Sequence, residues 1–128
     1  MYRPFFPDIS TPIKWFVYVD ESGKCRFCEY YEALPEGRRG KLEGRMVGWA
    51  LANNWTVVND KIMHRLRDVD PPVYELKCNQ ERVLFIRCGY DAIAFGGYTK
   101  KDNWSKKEQT ALDALMKYAA AAAAECGR

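Results

Sequence analysis

Residues 73–101, VYELKCNQERVLFIRCGYDAIAFGGYTKK, constrain the fold more than any other stretch of the chain, because they divide into three apolar runs separated by two polar ones. Val73 to Cys78, Arg82 to Cys88 and Ala92 to Tyr98 are rich in the β-branched and aromatic residues that suit a pleated surface. Asn79-Gln80-Glu81 and Gly89-Tyr90-Asp91 supply turn chemistry between them. Connections this short join antiparallel neighbours only, so the stretch is predicted to be a three-stranded meander. Cations recur along it: Lys77 in the first strand, Arg82 and Arg87 in the second, Lys100 and Lys101 past the third beside Tyr98. A binding face is expected there.

The flanking segments read less sharply. Pro4, Pro7 and Pro12 rule out helix over residues 1–12 and fit an extended N-terminal arm whose aromatics pack on the domain. Ile13 to Val19, IKWFVYV, reads as a well-covered first strand, closed by Asp20-Glu21-Ser22-Gly23. Phe27, Tyr31 and Leu34 fall at helical spacing and Pro35 ends that segment. A second helix is expected from Pro35 to about Asn54, with Leu42, Met46, Trp49, Ala50 and Asn53 on one face. Gly37, Gly40, Gly44 and Gly48 weaken it by roughly 1 kcal/mol each and leave room for a closely approaching helix. Arg38, Arg39, Lys41 and Arg45 make its other face basic, which reads as solvated surface.

Residues 55–72 show no sustained period and end in a proline pair, so they read as a connection with one short extended piece at residues 56–58; His64 lies in it among charged neighbours. Ser105 to Glu108 is a capping box opening a last helix with Leu112, Leu115, Met116 and Ala119 on one face. The alanine run that follows has high helix propensity and little to bury, so residues 119–128 are expected to prolong the helix and fray.

A chain of 128 residues with 48% hydrophobic content supports one core, so residues 1–128 are read as one domain. The sequence has neither an apolar run of membrane-spanning length outside the alanine tail nor a secretory signal pattern, and a cytoplasmic location without membrane association is expected. Five cysteines, an odd number without such a signal, read as reduced thiols acting as small buried hydrophobes. Cys25 and Cys28 would need Cys78, Cys88 or His64 to complete a zinc site, and the chain has no second closely spaced pair. No metal and no small-molecule cofactor is expected. The formal charge of +3 permits an anionic partner without requiring one.

Strand, two helices, three strands and a final helix make an α+β architecture. The expectation is an antiparallel-dominated four-stranded sheet, with a two-helix hairpin on one face, the C-terminal helix, and part of the other face open. In the last strand Ile93 and Phe95 should face the helices, while Ala92, Ala94 and Gly96 leave a shallow hollow able to take a substrate.

YELK, then ERVLF, then a glycine-rich strand running into GGYTKK resembles the C-terminal half of HigB-type toxins of the RelE superfamily, in their phage-derived subgroup. Upstream, DESGKCRFCEYYEALPEGRRGKL is similar to that family's first strand and helical hairpin, so the resemblance covers roughly residues 13–120. It implies a RelE-like fold and the toxin of a type II toxin-antitoxin system, a ribosome-dependent, metal-independent mRNA endoribonuclease held by a helix-turn-helix antitoxin. Such a reaction drives the ribose 2′-hydroxyl onto the adjacent phosphate, and needs a base, an acid and positive charge around the transition state.

By this resemblance Arg82 stabilises transition-state charge, Lys77 and Lys100 bind phosphate or move protons, and Tyr98 stacks or orients. Arg87, Lys101 and His64 are the implied RNA contacts. The chain departs from the pattern at Gly96, where many relatives carry histidine, and at Trp104-Ser105, which replaces a threonine-proline lead into the last helix. The alternative is therefore a catalytically inactive binding module that pairs with an antitoxin-like protein.

Overall fold

The computed structural model describes residues 1–52, 55 and 60–127. In chain order the elements are β1 (Tyr2–Phe5), β2 (Trp15–Tyr18), α1 (Arg26–Ala33), α2 (Glu36–Leu51), β3 (Met63–Arg65), β4 (Tyr74–Cys78), β5 (Glu81–Cys88), β6 (Asp91–Thr99) and α3 (Lys106–Cys126). The strands form one six-stranded sheet in the order β1-β2-β6-β5-β4-β3.

This is a mixed sheet of six strands, which corrects the expected four-stranded one; the class is still α+β. Two edge strands account for the difference in number. The N-terminal arm contributes β1, antiparallel to β2 with Tyr2 opposite Tyr18 and Phe5 opposite Trp15. Pro4 sits within it, at the sheet edge where a missing N–H is tolerated. The connector contributes β3, which pairs with β4 through Met63–Leu76, His64–Glu75 and Arg65–Tyr74. At the centre β2 runs parallel to β6, a pairing that the long passage through both helices and the meander allows. The residue 56–58 piece and Asn53 lie outside the described residues.

Both faces of the sheet are covered. Against α1 and α2 lie Trp15, Val17, Leu76, Val83, Phe85, Ala92 and Ala94, packed on Phe27, Leu42, Met46 and Trp49. Trp15 anchors this side, its indole Nε1 donating to Met46 O at 2.9 Å and its ring 4.9 Å from that of Phe85. Against α3 lie Val73, Leu84, Ile86, Ile93 and Phe95, packed on Ala119 and Ala122. The alanine run thus buries two of its members, and small side chains let α3 approach the sheet.

The hollow expected on β6 is filled. Ala92 and Ala94 are core residues beneath the helical hairpin. A β-bulge opposite Leu84 and Phe85 leaves Phe95 as a surplus residue, Leu84 facing Gly96 and Phe85 facing Ala94. A Cβ at Gly96 would lie 3.1 Å from Leu115 Cδ2 on α3, and one at Gly97 only 2.3 Å from Tyr30 Cδ2 on α1. Glycine at 97 is therefore the seat of α1. The glycines of α2 do not serve a close helix contact: a Cβ at Gly37, Gly40, Gly44 or Gly48 would meet nothing within 4 Å.

Cys88 and Cys126 form a disulfide joining the end of β5 to the end of α3, which corrects the expectation of reduced thiols throughout. An odd cysteine count does not forbid one bridge; Cys25, Cys28 and Cys78 remain free. The zinc arrangement is not assembled, since Cys88 is bonded and the described residues hold no group of three or more His, Cys, Asp or Glu able to bind a metal. Among the described residues no helix is long and apolar enough to cross a membrane.

Candidate polar site at the end of the sheet

Strand alternation decides which side chains share a face. Glu75 pairs with Leu84, Lys77 with Arg82, Arg82 with Tyr98 and His64 with Glu75, so these side chains stand on the α3 side of β3 to β6. They lie where apolar cover gives out near the start of α3. Glu75 is at the centre. Tyr98 Oη donates to its Oε2 at 2.7 Å, while His64 Nε2 and Arg82 Nε stand 3.6 and 3.8 Å from its Oε1. Glu75 is 6% exposed, so these partners replace water around its carboxylate.

Burial first and the Glu75 bond second push the Tyr98 phenol well above its ordinary range, and it stays protonated as a donor. Desolvation also dominates at His64, lowering its affinity for a proton; Glu75 opposes this and Lys77 reinforces it. His64 Nδ1 is buried without a hydrogen-bond partner among the described residues. Trp104 closes the rim, its ring edge-on to Tyr98 at 5.6 Å and its Nε1 donating to Gln109 Oε1 at 2.8 Å.

Arg82 is buried near the start of β5. It is 8% exposed, and Nη1 donates to Asn79 O at 2.7 Å and Glu81 O at 2.9 Å, so it braces the β4–β5 turn as well as facing Glu75. Lys77 is half-buried beside it, and Lys100 and Lys101 are exposed immediately after β6, where Lys100 N donates to Gln80 O at 2.8 Å. Arg87 is not part of this group. It lies near the opposite end of β5, its Nε donating to Gly89 O at 2.8 Å and its guanidinium 5.0 Å from the Trp55 ring centroid.

The opposite face carries a second buried carboxylate at the same end of the sheet. Glu81, 3% exposed, is bound in bidentate fashion by Arg38, with Nε to Oε1 at 2.9 Å and Nη2 to Oε2, and Thr99 Oγ1 donates to Oε2 at 3.4 Å. Arg38 is thus an ion-pair residue rather than part of a uniformly solvated basic face.

Sequence reasoning assembled Lys77, Arg82, Tyr98 and the two lysines, and named His64 without its strand. It missed the role of Glu75, the residue all three partners face. An acidic side chain on the same face as cationic neighbours was the available signal. No protein-family model matches the chain, and no curated protein matches it in sequence.

Proposed function

We propose that the chain is the toxin of a type II toxin-antitoxin pair, a metal-independent endoribonuclease cutting mRNA on the ribosome. The observation that supports it is the gathering of His64, Glu75, Lys77 and Tyr98 on one sheet face, with Lys100 and Lys101 at the same end. Neutral His64 is suited to accept the 2′-hydroxyl proton once its ring turns Nε2 from Glu75 toward the substrate, since Nδ1 is buried, and Tyr98, held protonated, to return one to the leaving 5′-oxygen. Glu75 orients both, the lysines offset phosphate charge, and Trp104 presents an aromatic surface for a base to stack on. Arg82 acts by holding Glu75 and the turn, in place of direct contact with the phosphate. A helix-turn-helix antitoxin is the partner this reading requires.

A second reading draws on a specific observation: the guanidinium of Arg82 is taken up by two carbonyls and faces Glu75, whose own oxygens face three partners. A network so internally satisfied also suits a non-catalytic module that binds an antitoxin-like protein.

The test is induced expression with primer-extension mapping of a defined ribosome-bound mRNA. Cleavage by the wild type, reduced roughly 10²-fold in His64→Gln and Lys77→Met chains that keep their circular dichroism, supports the nuclease. Absence of cleavage, with a stable complex on co-expression with a helix-turn-helix protein, supports the binding module.

A further inference from the structure

Cys25 and Cys28 take no part in the polar site. Cys25 is the N-cap of α1, its Sγ accepting the Cys28 N–H at 3.3 Å, so the two residues are held together in the first turn. Their environments differ. Cys25 is buried, whereas Cys28 is half-buried and its Sγ accepts from the Arg3 guanidinium at 3.7 Å. Cys28 also opens onto a groove of about 700 Å³ between β1 and the helical hairpin, walled by Arg3, Phe5, Tyr31, Gly40 and Gly44. The bare faces of Gly40 and Gly44 keep that groove wide, because a Cβ at either would project into open space.

We propose that Cys25 and Cys28 form a thiol–disulfide exchange site, with Cys28 as the attacking sulfur and a disulfide entering by this groove as substrate. The Cys28 thiolate attacks one sulfur of RS–SR, making a Cys28–SR mixed disulfide and releasing RS⁻. Cys25 then gives its proton to that departing thiolate and attacks Cys28 Sγ, closing the Cys25–Cys28 bond and releasing the second RS⁻. Two protein thiols are oxidised and one disulfide is reduced to two thiols. Arg3 steadies negative charge on Cys28 as it attacks. Burial, and next the hydrogen bond with Cys28, push the Cys25 thiol up to about 12, which suits the sulfur that keeps its proton until the second step.

The full chain, reduced and desalted, is exposed to glutathione disulfide in one arm and to insulin in another, then acid-quenched, alkylated and mapped by peptide mass. Mapping separates this pair from Cys88 and Cys126. The expected product is a Cys25–Cys28 linkage with matching release of thiol. Cys25→Ser, or Cys25→Ala should serine unfold the buried position, accumulates the mixed disulfide at Cys28, and Cys28→Ser forms neither species. Arg3→Gln slows the first step about two- to fivefold, the effect of one exposed charge. Reaction in the first arm alone assigns a small disulfide as substrate, and in the second alone a protein disulfide. Absence of both linkage and mixed disulfide in both arms, or a Cys28 no more reactive than in urea-unfolded chain, overturns the proposal.

Discussion

The hydroxyl of Tyr98 on β6 reaches Glu75 on β4 at 2.7 Å, spanning the strand that lies between them. Three strands are thereby tied at one end by a side-chain bond that runs across the sheet. Removing the donor leaves a buried carboxylate short of a partner. Tyr98→Phe should therefore lower stability by about 1.5–3 kcal/mol, the usual scale for a bond to a charged group, read from urea denaturation.

His64 gives the site a defined pH response. The folded chain binds a proton on His64 less readily than the unfolded chain, chiefly through desolvation. Its contribution is then complete above the ordinary histidine value near 6.5 and is lost as pH falls through the lowered folded value. Thermal melts should show stability falling on acidification below about pH 6.5. His64→Gln should flatten that slope; an unchanged slope would place the titration elsewhere.

Two neighbouring glycines separate seat from contact. At Gly97 a new methyl would meet the body of the Tyr30 ring, whereas at Gly96 it would meet the branched end of the flexible Leu115 side chain. Gly97→Ala should cost about 1–3 kcal/mol and Gly96→Ala less than about 1 kcal/mol, compared by denaturation midpoints. Equal costs would show that α1 gives way without penalty.

The bridge between Cys88 and Cys126 closes a sequence separation of 38. Loop-closure entropy for that span corresponds to about 4 kcal/mol at 25 °C. Cys126→Ser should lower the melting temperature by as much as full reduction lowers that of the wild type, and most of the added effect of reductant should vanish in the variant.

What the sequence disclosed follows the strength of its local signals. The meander was legible because turn residues punctuate three β-prone runs, and the α3 start because Ser105 and Glu108 cap each other. β3 was not, since three residues within a charged connector have no alternation to detect and take their conformation from pairing with β4. Proline hid β1 in the same way. The site was half legible: spacing brought the cations of β4 and β5 together, but the partnership of Arg82 with Asn79 and Glu81 carbonyls depends on how a side chain folds back, which spacing does not encode.

The surplus residue Phe95 makes β6 a strand of two phases. Up to Phe95, odd-numbered side chains turn toward α3; beyond it even-numbered ones do, which sends Tyr98 to Glu75 and gives the bare face of Gly97 to Tyr30. A strand kept in single phase would put the phenol beneath α1 and glycine over the carboxylate. The docking of a helix on one side and the neutralisation of a charge on the other are thus set by one count of residues, and neither can slip without the other.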